Sequence, residues 1–211
     1  MATEIEIKLH ILESNETDIL RQLERILGVS GFKCHDLRNL YFDTPDFQLN
    51  AERIALRIRH KSGCYIQTLK TKGCSVAGLH QRGEWEWALE SPELNIRHLN
   101  ESAAWPSSID PRQLMPVFET NFTRHQIEIE WQGSDKQRAT IELAVDLGVV
   151  TAKKNNADNQ SEAINEIELE LLSGKPDTLI ELGQYLLGRL PVTLDDVSKA
   201  ERGYRLLNAG A

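Results

Sequence analysis

MATEIEIKLH (residues 1–10) sets Glu4, Glu6 and Lys8 on alternate positions, with Ile5, Ile7 and Leu9 between them. In a strand successive side chains point to opposite faces, so the three charged groups share one face and the three aliphatic ones the other. Two carboxylates ~6.6 Å apart, followed by an ammonium, suit a cation and an anion held side by side. That is the chemistry of a metal-bound phosphate.

The pattern recurs along the chain. Arg57 and Arg59 alternate with Leu56 and Ile58; Lys70 and Lys72 share a parity in YIQTLKTK; Arg82, Glu84 and Glu86 do so in HQRGEWEW. Further on, Arg124, Glu128 and Glu130 stand against Ile127, Ile129 and Trp131, and Glu142 and Asp146 against Ile141, Leu143, Val145 and Leu147. In NEIELELL, Glu166, Glu168 and Glu170 stand against Ile167, Leu169 and Leu171. Glu and Lys are poor strand residues by intrinsic preference, so their repetition asks for a reason. Two readings are open. In the first, the ionic faces look out at water and the aliphatic faces fill an ordinary core, as in any half-exposed antiparallel sheet. In the second, the ionic faces line a closed tunnel and helices cover the aliphatic ones.

The chain has 211 residues, 40% hydrophobic and 27% charged, enough for one large β-rich domain with a substantial core. A net charge of −8 argues against a general nucleic-acid surface, which carries a basic excess, but allows a small polyanion bound by a local cluster of cations. No apolar run approaches the ~18 residues of a membrane span, and the N-terminus lacks the pattern of a signal peptide. The expectation is a cytoplasmic protein with neither nucleic-acid nor membrane partners. Cys34, Cys64 and Cys74 form no C-x-x-C pair, and the six histidines show no H-E-x-x-H spacing. A bound metal would therefore sit on carboxylates, which points to Mg²⁺ or Mn²⁺ rather than zinc.

Residues 14–28 read as a helix capped by Ser14 or Asn15, with an apolar stripe of Ile19, Leu20, Leu23, Ile26 and Leu27 and closure at Gly28. Strands follow around 37–44, 52–61, 64–72 and 79–90, with turns at Thr44-Pro45-Asp46 and at Gly63. Residues 91–105 and 110–119 read as short helices separated by Pro106, and strands resume near 120–131, 137–147 and 164–172. The Asn-rich stretch 153–163 reads as a disordered loop. A helix over 176–190, with Leu179, Leu182, Leu186 and Leu190 on a similar face, precedes a last one begun by Ser198, with Glu201 completing a capping box. The tryptophans Trp85, Trp87, Trp105 and Trp131 read as packing residues, and Glu86, Glu128, Glu130 and Arg202 as solvated rim groups. About eight strands and several amphipathic helices fit a barrel with helices outside.

The E-x-E-x-K of Glu4, Glu6 and Lys8, the R-x-R of Arg57 and Arg59, the pair Lys70 and Lys72, the R-x-E-x-E of Arg82, Glu84 and Glu86, the lone Arg124, the acidic strands with Asp146 and with Glu166 and Glu168, and the terminal Ser198-Lys199 occur in an order that resembles the CYTH proteins, the triphosphate tunnel metalloenzymes. GLHQRGEWEWAL, ELELLSG and SKAERGYRL look most like the inorganic triphosphatase branch. The resemblance runs from Glu4 to Arg202 and turns the choice of readings toward the tunnel. It implies an α+β, mainly antiparallel fold: a closed eight-stranded tunnel barrel with a charged interior and helices packed outside. The expected organisation is a single CYTH-type domain over 1–211, without the helical CHAD domain that often follows in that branch.

What the resemblance implies for the site is as follows. Lys8, Arg57, Arg59, Lys70, Lys72, Arg82, Arg124 and Lys199 form a phosphate cradle, the arginines with forked contacts and the lysines as point charges. Glu4, Glu6, Asp146, Glu166 and Glu168 are metal ligands, with Glu170 on the same face for a second shell or second ion. The expected catalytic set is Glu4, Glu6, Lys8 and Glu168, with Glu6 or Glu168 orienting the attacking water. The expected activity is metal-dependent hydrolysis of inorganic tripolyphosphate to pyrophosphate and phosphate. The alternatives are a thiamine or other organic triphosphatase, a class IV-type adenylyl cyclase, and a non-catalytic polyphosphate-binding module.

Overall fold

A computed structural model describes residues 2–12, 16–153 and 159–208. The opening strand β1 (Ala2–Ile11) is followed by α1 (Glu16–Leu27), β2 (Lys33–Asp43), α2 (Gln48–Ala51), β3 (Ala55–Lys61), β4 (Cys64–Lys70), β5 (Cys74–Val76) and β6 (Leu79–Leu89). Then come α3 (Ile96–Glu101), a 3₁₀ turn at Pro111–Gln113, the long strands β7 (Met115–Gln132), β8 (Arg138–Ala152) and β9 (Gln160–Ser173), α4 (Pro176–Leu187), β10 (Val192–Leu194) and α5 (Lys199–Asn208).

Antiparallel pairing runs β1–β9–β8–β7–β2–β3–β4–β6, and β6 returns to β1, so eight strands close a barrel. β1 closes it by using both edges: Glu6–His10 pair with β9 and Ala2–Ile7 with β6. Closure removes the free edges that an open sheet would expose. Short β10 and β5 extend the pairing beside β1 and β6.

Burial decides between the two readings of the alternating faces. On β1 the ionic groups Glu4, Glu6 and Lys8 are 6%, 3% and 2% exposed, yet Ile7, Leu9 and Ile11 on the opposite face are buried as well. A half-solvated strand buries only one face. The aliphatic side of β1, β8 and β9 packs under α1 and α4, where Ile7, Leu143 and Leu169 meet Leu23, Leu179 and Leu182. Across the barrel, Leu56, Ile58 and Leu69 pack under α2 and α3 with Leu49, Leu99 and Trp105. Trp85 and Trp87 lie against that second cluster and Trp131 against the first, as expected of packing residues.

The structure changes several expectations. The segment read as a helix at 110–119 keeps one 3₁₀ turn, and β7 already starts at Met115, because β2 offers a pairing partner for it. Pro116, which has no N–H to give the ladder, sits where the register slips between Tyr41 and Phe42. The helix read at 91–105 shrinks to Ile96–Glu101 behind an Asn95 cap. β8 and β9 run further than the alternation suggested, and Gln160–Ala163, read as loop, are strand. The proposed caps Ser14 and Asn15 and most of the Asn-rich stretch (154–158) lie outside the described residues.

The barrel interior is also not ionic throughout. Leu37, Tyr41, Phe118, Phe122, Val150, Ala152 and Ile164 form an apolar cluster with Tyr204 of α5. Phe118 and Phe122 share the parity of Arg124, Val150 that of Asp146, and Ile164 that of Glu166, so this cluster fills one end of the bore. Helix α5 seats on it. Gly203 lets the helix approach: a Cβ there would lie 2.3 Å from the Phe118 ring. The Tyr204 hydroxyl donates to Asp43 Oδ2 at 2.7 Å, and the same buried carboxylate accepts the N–H groups of Thr44, Leu49 and Asn50. The capping box holds as read: Ser198 Oγ accepts from Glu201 N, and Glu201 Oε2 accepts from Ser198 N at 2.7 Å. These contacts place Lys199, the first residue of α5, over the bore.

Candidate active site

Register brings the acidic strands together. Asp146 on β8 stands opposite Glu166 on β9 and Arg124 on β7, while Lys8 on β1 stands opposite Glu168. Oxygens of Asp146, Glu166 and Glu168 lie within 4.8 Å of one another. The Lys199 ammonium sits among them, 2.7 Å from Asp146 Oδ2 and 2.9 Å from Glu168 Oε1, and pairs with Glu166 Oε1 as well. Arg124 forks onto Asp146 with two 2.7 Å bonds and also reaches Glu168. Lys8 Nζ lies 3.2 Å from Glu168 Oε1.

A second cluster lies on the neighbouring wall. Glu4 Oε1 accepts from Lys70 at 2.7 Å and Glu4 Oε2 from Arg82 Nε at 2.8 Å, while Arg82 Nη2 reaches Glu6 Oε1 at 3.2 Å. Glu84 adds an ion pair to Lys70 at 3.2 Å. Between the clusters is a cavity of about 200 Å³ lined by most of these groups and by Arg57, Arg59 and Glu170.

The electrostatics follow from this pairing. Burial alone would raise every carboxyl, but Arg124 and Lys199 hold Asp146 below the ordinary carboxylate range, and Lys199, Lys8 and Arg124 hold Glu168 well below it. Lys70 and Arg82 do the same for Glu4. Glu166 goes the other way: burial pushes it up despite its lysines, and its Oε2 makes no hydrogen bond, with Arg202 Nη2 3.3 Å away. Arg59 has no carboxylate within ion-pair distance among the described residues; its Nε donates to Asn39 Oδ1 at 2.9 Å. Burial and the like charges of Arg57 and Arg124 pull its pKa down to about 10.

Glu170 is the acidic counterpart. Burial and the neighbouring Glu4, Glu6 and Glu84 push its carboxyl up to about 7, against the pull of Lys70. A raised carboxyl binds its proton more tightly folded than unfolded, so it weakens the fold progressively as pH rises from about 4.5 to 7. After discounting for partial solvent access, the loss above pH 7 is about 1–2 kcal/mol. In the metal-free protein at pH 8, Glu170→Gln is expected to raise Tm by about 2–6 °C, a gain that vanishes near pH 4.5. Thermal melts at the two pH values test this; equal Tm at pH 8 would show that Glu170 is not electrostatically crowded.

Of the residues singled out in the sequence, Glu4, Lys8, Arg57, Arg59, Lys70, Arg82, Arg124, Glu168, Glu170 and Lys199 line the cavity, with Glu6, Asp146 and Glu166 buried against its cations. Lys72 does not join them. β4 ends at Lys70, and Lys72 lies exposed beyond the strand, where parity no longer governs direction. Glu128 and Glu130 are exposed, as expected of rim groups. Glu86 is exposed too, on the rim of the cavity it helps line, and accepts from the Thr68 hydroxyl at 3.1 Å. Arg202 is a correction: 4% exposed, it pairs with Asp195 and Glu166. Lys61, Glu142, Gln126 and Tyr41 also line the cavity and received no role. Lys61 shares the parity of Arg57 and Arg59, a signal that was available.

A closed antiparallel barrel whose bore gathers converging carboxylates among guanidinium and ammonium groups defines the class of tunnel barrels. The chain belongs to the CYTH family: the CYTH domain model matches residues 2–204. It is 33% identical over 210 residues to the inorganic triphosphatase of Haemophilus influenzae, covering 98% of this chain and 55% of that protein. The chain thus spans about half the length of that curated relative. Among solved structures, a Hippeastrum protein, HpAC1, described as an adenylyl cyclase candidate with a dominant triphosphatase activity, superposes with a TM-score of 0.58 at 20% identity, over 98% of this chain and 96% of that one. A candidate adenylate cyclase from Bacillus halodurans does so with a TM-score of 0.54 at 27% identity, over 96% and 98%.

Proposed function

We propose that the chain hydrolyses inorganic tripolyphosphate to pyrophosphate and orthophosphate with Mg²⁺ or Mn²⁺. One observation carries the reading: Arg59 stands in the bore with no carboxylate in ion-pair distance among the described residues, next to Arg57, whose nearest carboxylate contact is Glu84 at 3.9 Å, and beside three converged carboxylates. A buried guanidinium short of counter-charge favours an anion, and converging hard oxygens favour a divalent cation. The relationship to an inorganic triphosphatase supports the same substrate. So does the size of the cavity, about 200 Å³, which lies below the ~300–1,000 Å³ of pockets for larger organic ligands and has little apolar lining for a base or thiazolium ring.

The residues fit a divalent ion. Asp146, Glu166 and Glu168 supply oxygens within reach of one point, and Glu166 Oε2 has an unused acceptor; Glu4, Glu6 and Glu170 supply a neighbouring acidic wall. When bound, the ion would neutralise phosphate charge and lower the pKa of a coordinated water. Lys8, Arg57, Arg59, Arg82, Arg124 and Lys199 hold the phosphates in line, and Lys61 extends the cationic row on β3. Glu168 or Glu6 orients the attacking water: its oxygen bonds to a terminal phosphorus as the bridging P–O bond breaks, the carboxylate takes the proton, and pyrophosphate leaves. Exposed, unbridged Cys34, Cys64 and Cys74 fit a reducing cytoplasm, and among the described residues no helix is long and apolar enough to cross a membrane.

The test is parallel incubation with tripolyphosphate, thiamine triphosphate and ATP in Mg²⁺ or Mn²⁺, reading orthophosphate and cyclic AMP. Orthophosphate released fastest from tripolyphosphate, and abolished by a chelator, is the expected result. Cyclic AMP, faster turnover of thiamine triphosphate, or binding without turnover would replace the reading with a cyclase, an organic triphosphatase or a binding module.

A further inference from the structure

The point on which Asp146, Glu166 and Glu168 converge is already held by a cation of the chain itself. Lys199 Nζ is 2.7 Å from Asp146 and 2.9 Å from Glu168 and pairs with Glu166, so one ammonium touches every member of the triad. An ion ligated by these oxygens and the ammonium cannot share that space. We propose that Lys199 is the resident counter-ion of the triad and that a divalent cation enters by exchange with it, the freed ammonium turning toward the phosphates. The inference rests on the reading of these carboxylates as cation ligands given above.

Among the described residues four cations face the triad, and one of them is built to leave. Arg124 is forked onto Asp146, and its stem, like that of Lys8, rises from a barrel strand locked on both sides by ladder hydrogen bonds. Arg202 is held by Asp195 and by the Ala163 carbonyl at 3.1 Å. Lys199 has neither restraint. It is the first residue of α5, next to the Ser198 cap, and its four-carbon stem carries a compact charge with no fixed fork. Where it sits, the ammonium also lies 4.9 Å from the centroid of the Phe122 ring. The cavity it would enter is the one it already lines with Arg57 and Arg59.

The charge count gives the exchange its purpose. Lys8, Arg124 and Arg202 each meet one or two of the three acids, and Lys199 is the cation that meets all of them, so its departure without a replacement would leave the three carboxylates closer to open repulsion. Triphosphate without metal meets an ammonium still engaged by the triad. Triphosphate arriving with metal meets an ammonium released to it. Binding of the two is thereby coupled.

The test is Mn²⁺ affinity without any phosphate, followed by electron paramagnetic resonance in wild type and Lys199→Met. Removing the competitor is expected to tighten Mn²⁺ binding at least tenfold while lowering the Tm of the metal-free protein, and Mn²⁺ should raise the variant's Tm more than that of wild type. Unchanged or weaker Mn²⁺ affinity in folded Lys199→Met overturns the proposal. If that variant does not fold, ¹⁵N spectra of the Lys199 ammonium in wild type decide: its signal is expected to move toward that of a free lysine on titration with Mg²⁺, and a signal unmoved at saturation overturns the exchange. Failure here with tripolyphosphate still hydrolysed removes only the exchange; successful exchange in a protein that hydrolyses no tripolyphosphate removes only the proposed activity.

Discussion

Glu168→Gln is expected to lower kcat for metal-dependent phosphate release by about 10³-fold, the scale seen when a preorganised group that meets developing charge is removed. Glu168 is the junction of the bore. Its Oε1 lies 3.2 Å from Lys8 and 2.9 Å from Lys199, and its Oε2 meets Arg124. The amide keeps the shape but removes a charge that serves three cations and, in the proposed reaction, a ligand or water-orienting oxygen. Breaking one partner out of a buried ionic set also costs about 3–5 kcal/mol of stability. The strand ladders on both sides of Glu168 are backbone bonds that the substitution leaves alone. Steady-state kinetics well below a separately measured Tm, with circular dichroism to confirm the barrel, separate the two effects. Turnover within tenfold of wild type would take Glu168 out of the machinery.

The arginines give the second large effect, and they divide sharply. Arg59→Met is expected to raise KM for tripolyphosphate about 10–100-fold, the worth of one hydrogen-bonded charge contact, while leaving the Tm of the ligand-free protein close to that of wild type. Arg59 loses only its bond to Asn39, and its departure removes the burial of a charge and the repulsion with Arg57 and Arg124, which together hold its pKa near 10. Arg124→Met should behave differently. It removes the forked partner of fully buried Asp146, at a cost of about 3–5 kcal/mol, before any substrate is present. Melting curves with and without tripolyphosphate read both consequences. An Arg59→Met protein as destabilised as Arg124→Met would mean that Arg59 supports the fold rather than awaiting an anion.

The distinction between these arginines could not be read from the chain. R-x-R on β3 and the lone arginine of TRHQIEIEW look alike as cations on alternating strands. Arg124 is paired because β7 lies beside β8 in a register that sets it opposite Asp146, whereas Arg59 stands opposite Asn39. Ion pairing across strands depends on register, and register comes from pairings distant in sequence. Lys72 fails for the converse reason. Parity is meaningful only while a strand lasts, and β4 stops two residues short of it.

Arg202 is buried against the expectation because charge on a helix is usually solvated and no local signal marks the exception, whereas Lys61 carries the parity of Arg57 and Arg59. The apolar end of the bore has a similar origin. Phe118 and Phe122 continue the inward parity of Arg124, but whether an inward phenylalanine meets a phosphate or a helix depends on where α5 returns. Short β5 and β10, three residues each, are too brief to carry a period at all.

The chain by itself determined which side chains share a face, because a strand has a period of two, and it determined that those faces are ionic on one side and aliphatic on the other. Folding in three dimensions decided which face is enclosed, which carboxylate meets which cation, and that the ammonium of Lys199 occupies the place where three acids converge. Faces are set by neighbours along the backbone. Enclosure and charge pairing are set by barrel closure, which joins the first strand to the ninth and brings the last helix over the bore.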